Sequence, residues 1–98
     1  MDKIIEKENI YCAHNYLPLP VVLTRGDGIY LWDSEDKRYI DMMSAYSAVS
    51  HGHCNSRLLQ VLADQSSKLC VVSRAFYTDK LAAFLEKLCK LTDLDMCV

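Results

Sequence analysis

The stretch from Val21 to Asp41 constrains this chain most, because its hydrophobic period is two and turn residues interrupt it twice. Val21-Val22-Leu23-Thr24, Ile29-Tyr30-Leu31-Trp32 and Arg38-Tyr39-Ile40-Asp41 are runs rich in β-branched and aromatic residues. Arg25-Gly26-Asp27-Gly28 and Asp33-Ser34-Glu35-Asp36-Lys37 are polar turn signals between them. The pattern predicts an antiparallel meander of three short strands. Such a sheet is marginal alone and needs something to pack on.

The flanking segments predict helices. Ile4, Ile5 and Ile10 among charges over residues 2–11 suggest a short N-terminal helix. Pro18 and Pro20 cannot continue it and impose an extended loop leading into the sheet. Met42 to Asn55 has no clean period. Its small and polar residues suit a buried or ligand-facing loop better than a surface linker. Leu58, Leu59, Val61, Leu62 and Leu69 form a helical stripe, with Asn55 or Ser56 as N-cap. Leu81, Phe84, Leu85, Leu88 and Leu91 form another, with Thr78 as N-cap, Asp79 in the first turn, and Lys87 and Lys90 toward the negative end of the dipole. Asp95-Met96-Cys97-Val98 reads as the start of a further strand. The expected fold class is α+β: an N-terminal helix, a three-stranded antiparallel meander and two helices.

Composition narrows the function. With 98 residues, 51% apolar and 24% charged, the chain has ordinary globular values and room for one domain at most. No apolar run approaches the length of a membrane span, and no secretory hydrophobic region follows Met1-Asp2-Lys3, which points to a cytoplasmic protein. A net charge of -2 without a basic stripe argues against nucleic acid as a partner. Cys12, Cys54, Cys70, Cys89 and Cys97 are odd in number and contain no Cys-x-x-Cys, so they read as reduced, small apolar residues.

The local constellations are weak. His51-Gly52-His53-Cys54 groups three metal-ligand types, but zinc sites normally draw four ligands from two separated pairs. The plainer reading is a turn in which the Gly52 backbone approaches a neighbour and the two rings hydrogen-bond locally. Ser44, Ser47 and Ser50 lack a nucleophile-elbow pattern. Gly26-Asp27-Gly28 is too short for a phosphate loop and lacks the following Lys-Ser/Thr. Tyr16, just before Pro18, and Tyr46, in the small-residue loop, could offer a ring wall and a hydroxyl to a ligand, or lie half-buried on the meander. Spacing leaves both open.

Longer runs carry a resemblance. Ala13-His14-Asn15-Tyr16, Pro18-Leu19-Pro20, Arg25-Gly26 and Gly28-Ile29-Tyr30-Leu31-Trp32-Asp33 resemble the N-terminal segment of the ornithine aminotransferase family, within the class III pyridoxal-phosphate (PLP) transaminases. So do Tyr39, Asp41, Ser44, Tyr46-Ser47-Ala48-Val49, Gly52-His53-Cys54 and Ser73-Arg74-Ala75-Phe76-Tyr77. The likeness runs in order from about residue 11 to residue 77 and weakens beyond.

The resemblance implies residues 1–98 to be the N-terminal part of a fold-type I transaminase subunit, a single partial domain without the large PLP-binding domain. It implies a parent activity: transfer of the δ-amino group of L-ornithine to 2-oxoglutarate, giving glutamate semialdehyde and glutamate, in arginine and proline metabolism. It implies PLP as cofactor and a homo-oligomer as the working assembly. Tyr16 and Tyr46 match the two tyrosines that line the ornithine pocket, so both are expected to contact substrate. The aldimine lysine and most of the phosphate cradle belong downstream of the matched region. No catalytic or cofactor-binding residue is therefore expected within this chain, and by itself it is expected to be inactive. Acetylornithine and 4-aminobutyrate transaminases, or a non-catalytic interaction module, are the competing expectations. One departure stands out: Asn55-Ser56 occupies the place of the family's usual His-Pro.

Overall fold

The computed structural model describes residues 3–98. They form helix α1 (Lys3–Tyr11), strands β1 (Leu23–Asp27), β2 (Tyr30–Asp33) and β3 (Arg38–Ile40), a short turn α2 (Ser44–Ser47), and helices α3 (Ser56–Ser66) and α4 (Asp79–Thr92). The α+β reading holds, with one extra turn. Asp2, placed in the first helix by its sequence, lies outside the described residues. The chain divides into two compact units, one reaching Ala63 and the other running from Asp64 to Val98.

In the first unit the three strands lie in the order β1-β2-β3, antiparallel throughout. Asp27 pairs with Tyr30, so the first hairpin turns on Gly28 and Ile29 alone. Arg25, Gly26 and Asp27 are strand, not turn. Gly28 takes the positive φ (56°) that a two-residue hairpin asks of glycine. Gly26 serves another purpose. A Cβ there would stand 2.8 Å from His53 Cβ, so this strand glycine leaves room for a neighbouring side chain.

A β-bulge between Leu23 and Arg25 leaves Thr24 unpaired in the register, and its hydroxyl donates to the Asp33 carbonyl at 3.2 Å. The second turn is organised by Asp33. Its Oδ1 accepts the N–H groups of Glu35 and Lys37, both at 2.9 Å, and its Oδ2 accepts the Tyr39 hydroxyl at 2.7 Å. The Tyr39 hydrogen bond, with those two backbone donors, lowers the Asp33 pKa, and the same bond raises that of Tyr39.

Aromatic and cationic side chains share one face of the sheet. The Arg25 guanidinium lies 3.8 Å from the Trp32 ring centroid, and that of Arg38 lies 4.6 Å from the Tyr30 ring. Tyr30 and Trp32, two residues apart on β2, tilt against each other at 6.1 Å. Such cation–π contacts are worth about 0.5–1 kcal/mol each at exposed positions. None of the described residues is fully buried, so this face and the polar turns order the sheet without a closed core.

Asn55 begins α3 as its sequence predicts. Its Oδ1 accepts from Arg57 N at 3.1 Å and Leu58 N at 3.2 Å. A residue with a capping oxygen thus does the work of proline at the same helix start. The helix stops at Ser66, short of Leu69, whose backbone carbonyl accepts instead from the Gln65 side chain.

In the second unit α4 starts where its N-cap and first-turn residues predict and covers the whole Leu81–Leu91 stripe. Thr78 occupies the N-cap with extended backbone, but its side chain makes no capping bond. Lys90 pairs with Glu86 one turn earlier at 2.6 Å. Asp93 ends the helix in the left-handed conformation (φ 55°), and its N–H reaches the Cys89 carbonyl. Residues 95–98 form no strand: no ladder partner faces them among the described residues. Cys97 instead folds back on Cys89, sulfur to sulfur at 3.4 Å.

Candidate functional site

The segment after β3 holds the least ordinary backbone among the described residues. Ser44, Ala45, Tyr46 and Ser47 have φ of 54°, 46°, 57° and 73°. Four consecutive side-chain-bearing residues are therefore left-handed, which costs roughly 1–2 kcal/mol for each of them. Composition points to a buried or ligand-facing loop here, and the segment is not buried. It is a left-handed turn with Tyr46 at its apex, 89% exposed. Such strain persists only where surrounding structure over-determines it, and it gathers at functional sites.

Asp41 does most of the determining. Its Oδ1 accepts Ser44 N at 2.8 Å and Met43 N at 3.0 Å, closing the entry to the turn. Its Oδ2 meets His53 Nε2 at 2.7 Å, and the two side chains are only 10% and 20% exposed. The Ser44 N–H first, then the His53 hydrogen bond, hold the Asp41 pKa below its ordinary range. Both residues are fixed to the first hairpin. Asp41 N donates to the Ile29 carbonyl at 2.8 Å, while His53 and Gly28 exchange backbone bonds at 2.8 and 3.0 Å. Inside the turn, Tyr46 N reaches the Met43 carbonyl and Val49 N the Ser44 carbonyl, both at 3.1 Å.

His51-Gly52-His53-Cys54 resolves into an anchor for this network. Gly52 takes φ 85° and passes so close to the Gly28 backbone that a Cβ would sit 3.2 Å from it. The close approach read from sequence is present, but His53 bonds across the fold to Asp41 and not to its neighbour ring. Among the described residues no three His, Cys, Asp or Glu side chains gather as a metal site would require.

Tyr16 stands on the extended segment after α1, 82% exposed. It lines an open groove with Ile4, Ile5, His14 and Leu17, a groove that Tyr46 does not join. His14 is tied back to α1 through the Asn9 carbonyl at 2.7 Å. The two tyrosines thus belong to one unit but stand on separate features of it. The role of Gly26 and the joining of Asp41 to His53 are invisible to local spacing, because His53 lies outside the local window of both.

A family model, aminotransferase class-III, matches residues 11–98. The chain belongs to the class-III aminotransferases. It is 50% identical over 94 residues to ornithine aminotransferase 2 of Staphylococcus aureus, covering 96% of this chain and 24% of that protein. It superposes on the ornithine δ-aminotransferase of Plasmodium falciparum with a TM-score of 0.93 at 44% identity, over 96% of this chain and 25% of that one. The acetylornithine aminotransferase of Elizabethkingia anophelis gives a TM-score of 0.92 at 48% identity, over 96% and 23%. The chain spans about a quarter of the length of the curated relatives it matches, and the matched structures place it in the N-terminal region of the transaminase subunit.

Class-III aminotransferases work through PLP, and the described residues do not fit that cofactor by themselves. A covalent PLP site needs a lysine inside an enclosed, phosphate-binding pocket. Every lysine of this chain is exposed: Lys80 pairs with Asp79, Lys90 with Glu86, and Lys37 lies over the Tyr39 ring. What these residues provide is an exposed phenol on a left-handed turn, a second phenol beside a groove, and the polar frame behind the first.

Proposed function

We propose that this chain supplies the substrate-contacting N-terminal part of an aminotransferase that moves the δ-amino group of L-ornithine to 2-oxoglutarate. In this reading Tyr46 and Tyr16 contact ornithine, the subunit assembles with copies of itself, and PLP is held by parts of the family's subunit beyond the described residues. The supporting observation is the similarity to ornithine aminotransferases at about half identity, over a span that includes both tyrosines. A phenol ring narrows a pocket, and its hydroxyl rewards an amine or carboxylate that can bond to it. A substrate leaving that hydroxyl unpaired is penalised by roughly 1–3 kcal/mol.

The 48% identity to an acetylornithine aminotransferase supports a second reading, in which the amine donor carries an N-acetyl group. One experiment separates them. Residues 11–98 replace the matching segment of the intact Staphylococcus aureus ornithine aminotransferase 2, and kcat/KM is measured for ornithine, N-acetylornithine and 4-aminobutyrate. Preference for ornithine supports the first reading. Preference for N-acetylornithine replaces it with the second.

A further inference from the structure

We propose that Asp41 and His53 are positioning residues for substrate selection, holding the left-handed Ser44–Ser47 turn so that Tyr46 is presented at a fixed place. The inference rests on the reading of Tyr46 as a substrate contact and adds the device that makes it one.

Four observations converge on it. The turn is intrinsically unfavourable, so something outside it must hold it. Asp41 Oδ1 receives the N–H groups at its entry, including that of Ser44, its first residue. The other oxygen of the same carboxylate is occupied by His53 Nε2, which leaves the carboxylate one orientation in which both duties are met. His53 is itself immobilised: its backbone is bridged to Gly28, and its ring rests where Gly26 has no side chain. The chain of support runs from the first hairpin through His53 to Asp41 and then to the turn under Tyr46. Neither Asp41 nor His53 need touch substrate. Loosening either frees the phenol to sample other positions, which weakens discrimination between amine donors more than it weakens turnover in general.

The test is a double-mutant cycle in the grafted holoenzyme described above, read as the ratio of kcat/KM for ornithine to that for 4-aminobutyrate. Asp41→Ala is expected to lower the ratio by about tenfold, and Asp41→Asn, which keeps an acceptor for the turn, to recover it to within about threefold. In a Tyr46→Ala background, Asp41→Ala is expected to change the ratio by less than about twofold, because the group it positions is gone. An equal fall for both amines, or the same loss of ratio with and without Tyr46, overturns the proposal and makes the pair purely structural. If Asp41→Ala does not retain cofactor, His53→Ala enters the same cycle with the same expectations. If the parent graft prefers an amine other than ornithine, the substrate reading fails separately. The cycle read on the preferred amine still decides whether Asp41 acts through Tyr46.

Discussion

In the unit reaching Ala63, shape is set by carboxylates that gather several donors each, most of them nearby and one, His53, twelve residues away. Asp33 ties Glu35, Lys37 and Tyr39 together, and Asp41 ties Met43, Ser44 and His53. In the unit from Asp64 onward, shape follows the period of one helix, α4, with its cap positions and a Glu86–Lys90 pair. The first route allows a backbone that local preference forbids, such as four left-handed residues in a row. The second departs from local preference at a single capping residue, Asp93, among the described residues. The residues read as substrate contacts lie in the first unit, consistent with a site that needs a conformation the chain would not adopt unaided.

The comparison breaks most sharply at Gly26. Gly26→Ala places a methyl 2.8 Å from His53 Cβ, an atom that cannot swing aside as a flexible chain end would. The expected cost is about 1–3 kcal/mol, with loss of the Asp41–His53 contact. In the grafted enzyme, thermal unfolding and hydrogen exchange should report it as lost protection in residues 3–63, while α4 keeps its own.

Acid should act on the same unit. The folded pKa values of Asp33 and Asp41 lie below the ordinary 3.8. Their hydrogen bonds therefore contribute fully above that pH, and the contribution is lost as pH falls through the lowered values. Amide protection around residues 33–53 should decline on acidification before that of α4 does, as hydrogen exchange across pH 5 to about 2 would show.

The helix caps make a smaller contrast. Asn55 makes two capping bonds, and Asn55→Ala should cost about 1 kcal/mol. Thr78 holds the same position on α4 without a side-chain bond, so Thr78→Ala should cost only about a few tenths. Melting temperatures of the two variants give the ordering directly, and equal losses would show that cap position outweighs the bond.

These differences also explain what was legible in the sequence. The three strands, α1, Asn55 as a cap and the whole of α4 follow from period, propensity and turn residues within a few positions of one another. The hairpin is displaced from its expected place because Gly26 looks like a turn glycine until His53 is placed over it, and that contact lies outside any local sequence window. The left-handed turn could not be read, since no glycine or asparagine marks Ser44 to Ser47 and every local preference opposes it. Asp41 was visible as a matched residue but not as a hub, because its donors include a histidine twelve positions away. Residues 95–98 have strand composition without a strand to pair with among the described residues.

In the proposed reading Tyr46, held out on its strained turn, selects the substrate. Tyr46→Ile in the grafted enzyme removes the ring and the hydroxyl together. The ratio of kcat/KM for ornithine to that for 4-aminobutyrate should fall by roughly 10- to 100-fold, the equivalent of 1–3 kcal/mol. An unchanged ratio would contradict the claim and make Tyr46 a packing residue.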